Sequence, residues 1–183
     1  MRVLKIVLIA LLALIAIPLL VALFVPKDFG VERTIEIERP VEEVFDFIKL
    51  LRNQELYSKW AEMDPDVINT YRGTDGTVGF VSRWEGNEDV GIGEQEIIEL
   101  SENEYIKTEL RFEEPFDSVS YSALYTTALT DSTTRVVWDM TGSMPYPMNL
   151  LLLFMDFEQA LGDDFDFGLN KLKGILEDEE QSS

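Results

Sequence analysis

The chain has 183 residues, 46% of them hydrophobic, enough for one folded domain and an appendage. It holds no cysteine and no histidine, which excludes disulfides, thiolate zinc sites, His-ligated metals and Ser-His-Asp or Cys-His catalysis. The formal net charge is −20, and all 35 acidic residues lie beyond residue 26 together with 13 of the 15 basic ones; that part, at −22, repels phosphate backbones, so no nucleic acid is expected as a partner.

The first element is a run of twenty apolar residues, Ile6 to Val25, IVLIALLALIAIPLLVALFV. As a helix it spans about 30 Å, the hydrocarbon thickness of a bilayer, and Pro18 is tolerated in such a helix. A cleaved signal peptide has an apolar core of only about 7 to 15 residues and ends in small residues. ALFVPKD has no such site, so residues 1–26 are expected to be a retained anchor crossing the membrane through residues 6–25. Arg2, Lys5 and the amino terminus precede the span. The positive-inside rule then puts the N-terminus in the cytoplasm and the acidic domain on the periplasmic or extracellular side of a single-pass protein.

Residues 27–177 read as the domain. VERTIEIE, Val31 to Glu38, alternates Val31, Arg33, Ile35 and Ile37 against polar residues, the pattern of a half-buried strand. RPVEEVFDFIKLL follows, with Pro40 suited to a helix start and Glu42 and Glu43 favoured in the first turn. Val41, Val44, Phe45, Ile48 and Leu51 form its apolar stripe, and a second short helix is expected over Gln54 to Trp60, with Trp60 in the core. From Asp66 to Met144 the texture is about six strands with short polar turns, a meandering antiparallel sheet. The loop SMPYPMN and the run LLLLFM lead to LGDDFDFGLNKLKGILE, where Leu161, Phe165, Leu169, Leu172 and Leu176 make one helical stripe interrupted by Gly168. Residues 178–183 are expected to be an acidic disordered tail.

Parity in the strands nominates the residues that face this last helix. They are Trp138 and Met140 with Val136; Leu110 and Phe112 with Ile106; Tyr125 with Tyr121 and Leu129; and Trp84 and Gln95. Phe165, Gly168 and Leu169 would lie opposite. Glycine in a helix interior costs about 1 kcal/mol relative to alanine, so Gly168 calls for either close packing or space left to a ligand. Tyrosine hydroxyls and Gln95 would supply the few fixed polar groups of an apolar pocket. Acid–base candidates are Tyr121, Tyr125, Glu96 and Glu109, none marked out by spacing, and no recognisable catalytic constellation, cofactor motif or metal site is present. VGIGE is no phosphate loop, because a strand follows it and no lysine does.

IEIERPVEEVFDFI, YSKW, WEGNEDVGIGEQEIIEL, TRVVWDMTG and LGDDFDFGLNKLKGILE, in that order, resemble the polyketide cyclase/dehydrase-like branch of the START-like (SRPBCC) superfamily. The resemblance runs over about residues 31–177 and implies an α+β helix-grip fold: a curved antiparallel sheet wrapped around a long C-terminal helix, with a cavity between them. It further implies a small hydrophobic molecule or lipid as ligand; the candidate contacts are those that strand parity and the helix stripe nominate, Trp84, Gln95, Leu110, Phe112, Tyr125, Trp138, Met140, Phe165, Gly168 and Leu169. A cyclase or dehydratase, or a closed-cavity domain acting through a protein partner, are the alternatives. The membrane span lies outside the family pattern.

Overall fold

The computed structural model describes residues 2–178. Its first element, α1 (Arg2–Ala22), is long and apolar enough to cross a membrane, and Ala22 is its only buried residue. The helix stops three residues before the apolar run does. Leu23 and Phe24 donate back to Leu20 and Val21 in a closing turn, and Val25 is buried against the domain.

Strand β1 (Asp28–Ile37) starts three residues earlier than the alternation indicated. Pro40, at φ −56°, opens α2 (Val41–Ile48), which buries Val44, Phe45 and Ile48. The expected second helix is broken. A 3-10 turn at Leu51–Asn53 runs into α3 (Gln54–Tyr57), and Ser58 is extended before α4 (Lys59–Met63). Tyr57, just before the break, is in the core at 1% exposure, and Trp60, just after it, meets Phe165 edge-on at 6.1 Å.

Six strands follow, as expected: β2 (Ile68–Arg72), β3 (Val81–Glu85), β4 (Ile92–Ser101), β5 (Tyr105–Glu114), β6 (Ser118–Thr130) and β7 (Thr133–Ser143). They form one antiparallel seven-stranded sheet in the order β1-β7-β6-β5-β4-β3-β2. Register irregularities in β4 and near the end of β6 interrupt the ladder, and such bulges bend a sheet. The run LLLLFM is only briefly helical, as a 3-10 turn (Met148–Leu150) and α5 (Leu151–Phe154). The last helix, α6 (Phe157–Asp178), buries Leu161, Phe165, Gly168, Leu169, Leu172 and Leu176. The expected stripe is therefore the face that packs on the sheet. Asp178 belongs to this helix; the remainder of the expected tail, residues 179–183, lies outside the described residues.

One core joins α2, α3, α6 and one face of the sheet. Residues opposite each other in an antiparallel ladder share a face, so the pairs Arg33–Trp138, Trp138–Leu124 and Leu124–Ile106 put all four on the inner face. Arg33 is accommodated there by an ion pair to Asp166 of α6 at 3.1 Å.

Candidate ligand site between sheet and helix

Trp138 is the centre of the inner face. Its ring stacks on Phe165 at 4.4 Å and 6°, and Tyr57 meets it edge-on at 6.0 Å. A Cβ at position 168 would lie 2.9 Å from the indole and 3.3 Å from the Tyr57 carbonyl oxygen. Gly168 is thus the point where the sheet and α3 both reach the helix, and the indole fills the space that a side chain would take.

Beside this aromatic cluster runs a polar seam. Gln95 Nε2 donates to Thr108 Oγ1 at 3.0 Å, Trp138 Nε1 donates to Ser122 Oγ at 3.0 Å, and Ser122 Oγ donates to the Asp139 carbonyl at 2.7 Å. Over the seam, between α3 and the sheet, lies a void of about 10 Å³ bordered by Gln54, Tyr57, Gln95, Thr108, Ser122 and Trp138. That is at most the room of one water. Burial pushes the Tyr57 hydroxyl well above its ordinary pKa, so it stays a neutral phenol at any physiological pH. A larger depression, about 500 Å³, lies on the outside between α2 and the last turn of α6, beside Phe47, Leu50 and Leu176.

The candidate residues separate along the strands. Met140, Trp138, Phe165, Gly168 and Leu169 are buried in the core. Trp84, Gln95, Leu110 and Phe112 share the inner face, through the pairs Trp84–Gly93, Gly93–Phe112 and Gln95–Leu110, yet all four are only half-buried. The Trp84 ring lies across Gly93, where a Cβ would come within 2.5 Å of it, and reaches Phe112 edge-on at 5.7 Å. Gly93 makes that contact possible. Nothing in the motif VGIGE announced it, because the need arises from the strand next door.

Tyr125 is a correction. It opposes Val137 and Tyr105, so it lies on the outer face, where its ring is 6.0 Å from that of Tyr105. The inward parity of β6 runs Ser118, Ser120, Ser122, Leu124, Thr126 and Ala128. In β6 both parities carry apolar residues, and the sequence offered no local sign that the smaller set faces in. The shift also moves Tyr121 outward. Glu96 and Glu109 are on that face too, where Arg111 reaches Glu94, Glu96 and Glu109 at 2.8, 2.7 and 2.5 Å. The Arg111 hydrogen bond holds Glu109 below the ordinary carboxylate range. All four acid–base candidates are therefore turned away from the inner face.

A bent antiparallel sheet gripping one long C-terminal helix, with a partly apolar and partly hydroxyl-lined inner face, defines a helix-grip protein. The chain belongs to the polyketide cyclase/dehydrase and lipid transport family, whose model matches residues 28–177. Among solved structures it is similar to a protein from Nitrosospira multiformis (18% identity, TM-score 0.59, covering 84% of this chain and 99% of that one). It is also similar to the protein jhp0584 from Helicobacter pylori (14%, 0.61, 81% and 88%) and to the Aha1 dimer from Colwellia psychrerythraea (15%, 0.54, 81% and 96%). At these identities the likeness is one of fold. No curated protein sequence matches the chain.

Proposed function

We propose that the protein is a membrane-tethered binding domain for a small hydrophobic molecule or lipid, with the ligand held at the half-open end of the inner face. One observation carries this reading. Trp84, Leu110 and Phe112 lie at the strand ends that line up, through β6 and β7, with the start of β1. That is the end at which the chain arrives from α1. The opposite end is filled by Ile37, Val136 and, from α6, Leu172, each fully buried. A ligand that partitions into the bilayer would thus meet the unfilled end first, at the raised local concentration that tethering gives. With α1 as anchor, Arg2 and Lys5 put the amino terminus in the cytoplasm and the domain on the far side.

The test is native mass spectrometry of residues 27–183, incubated with phosphatidylcholine vesicles and recovered without detergent. An apolar adduct, released by organic extraction and lost in Phe112→Glu, is the expected outcome. The absence of any adduct in the parent chain would count against the reading. The near-solid interior, with its void of about 10 Å³, favours a second reading in that event: a grip domain that works through a protein partner.

A further inference from the structure

Between Asp139 and Asp156 the chain carries no charged residue, although 27% of the whole sequence is charged. This stretch holds the end of β7, the connector and α5, and it is fastened to the end of α1. Asn149, fully buried, donates from Nδ2 to the carbonyls of Ala22 at 2.8 Å and Val25 at 3.0 Å. Tyr146 donates its hydroxyl hydrogen to the Leu19 carbonyl at 3.2 Å, and the Met144 amide donates to Lys27 at 2.8 Å. The last carbonyls of a helix lack partners within it; here the connector supplies them. Immediately after this clasp, Leu153, Phe154 and Met155 are 55, 82 and 52% exposed, and Leu23 and Phe24 at the end of α1 are 62 and 87% exposed.

We propose that α5 and Met155 form a second membrane contact, lying in the interface of the leaflet from which α1 emerges, with Leu153, Phe154 and Met155 among the acyl chains. The proposal rests on α1 being a membrane span. The bilayer is the occupant that fits, because the exposed residues continue from the end of that span through the Asn149 clasp. Their freedom from charge is what an interfacial segment needs when the rest of the domain is repelled by anionic headgroups. The contact has a structural consequence. Helix α6 starts two residues after Met155, and Phe157 in its first turn packs on Phe29 at 4.7 Å. Two points of attachment thus hold the grip helix and the half-open end of the sheet at a fixed angle to the membrane, where a span alone would let the domain swing.

The absence of cysteine makes the test direct. Single-cysteine variants Leu12→Cys, Leu129→Cys, Leu153→Cys and Phe154→Cys of the full chain are spin-labelled in phosphatidylcholine vesicles, and relaxation by oxygen and by a water-soluble nickel chelate is compared. Labels at 153 and 154 should behave like the one at 12, open to oxygen and shielded from nickel, while the label at 129, at the far end of β6, shows the reverse. If 12 is in lipid but 154 relaxes with nickel as 129 does, α5 lies in water and the inference fails while the anchor stands. Shielding of 154 from both reagents means a protein surface covers it, a partner or a second copy, and also overturns the inference. Nickel access at 12 removes the span and this proposal with it.

Discussion

Two glycines in α6 give the packing a test with an internal control. A Cβ at position 168 would stand 2.9 Å from the Trp138 ring and 3.3 Å from the Tyr57 carbonyl oxygen, whereas at position 174 it would meet nothing within 4 Å. Alanine at either position gains about 1 kcal/mol from helix propensity. At 174 nothing opposes that gain. At 168 the indole is pinned by its stack on Phe165 and its hydrogen bond to Ser122, and the Tyr57 carbonyl is backbone, so the added methyl meets overpacking worth about 1 to 3 kcal/mol. Gly174→Ala should therefore be more stable than the parent by up to about 1 kcal/mol. Gly168→Ala should fall below Gly174→Ala by about 1 to 3 kcal/mol. Urea unfolding of residues 27–183, followed by tryptophan fluorescence, reads both, and the slope with denaturant should not change. Equal stabilisation by the two substitutions would refute the argument, since it would mean that the sheet and α3 do not press on the helix at Gly168.

Three further outcomes are expected. Arg111→Met leaves Glu94, Glu96 and Glu109 facing one another, so it should destabilise the domain by more than about 1 kcal/mol at low salt, the loss shrinking in about 1 M salt as the repulsion is screened; a salt-independent loss would assign the effect to packing. Burial raises the pKa of Asp139, whose carboxylate accepts the Ala123 amide at 2.9 Å. A raised pKa in the folded state means that ionisation opposes folding above that value, and the penalty disappears as pH falls through it; Asp139→Asn should therefore raise the urea midpoint at about pH 7 and match the parent at about pH 3, and an equal gain at both would refute the assignment. Asn149→Ala strands the Ala22 and Val25 carbonyls, a cost of about 1 to 3 kcal/mol, so trypsin should cut faster after Lys27 in the full chain held in lipid, and unchanged cleavage would show that the clasp is not closed there.

Much of this architecture is legible in the sequence because each strand or helix writes its own period. The alternation in VERTIEIE already sets Arg33 beside Val31 and Ile35, and the 3-4 spacing from Leu161 to Leu176 already gives the buried face of α6. What failed was information that belongs to neighbours. SVSYSALYTTALT has apolar residues on both parities, and only its pairing with Trp138 and Ile106 decides that Ser122 and Leu124 turn inward and Tyr125 outward. The interruption at Ser58, whose backbone is extended, has no breaker residue, and an unbroken helix would have set Tyr57 and Trp60, three residues apart, on one face. Gly93 and Gly168 stood out as glycines, but the rings that require them, Trp84 and Trp138, come from other strands.

The distribution of polar partners indicates where the inner face yields. At the Trp138 level the polar groups are already committed: Gln95 to Thr108, Thr108 to the Ser122 carbonyl, and Trp138 to Ser122. Enlarging the void there means breaking the stack on Phe165 or lifting α3, and each buried donor set free costs about 1 to 3 kcal/mol until the ligand replaces its partner. At the end beside α1 the balance is reversed. Trp84, Leu110 and Phe112 already expose apolar surface, and covering it with a ligand recovers about 25 cal/mol for each Å² removed from water without breaking a hydrogen bond. A guest therefore costs least as a cover over the open strand ends beside α1, with only its tip directed toward Gln95 and the small void beneath α3. The proposed binding therefore needs little internal volume, because the free space is supplied at the edge of the grip.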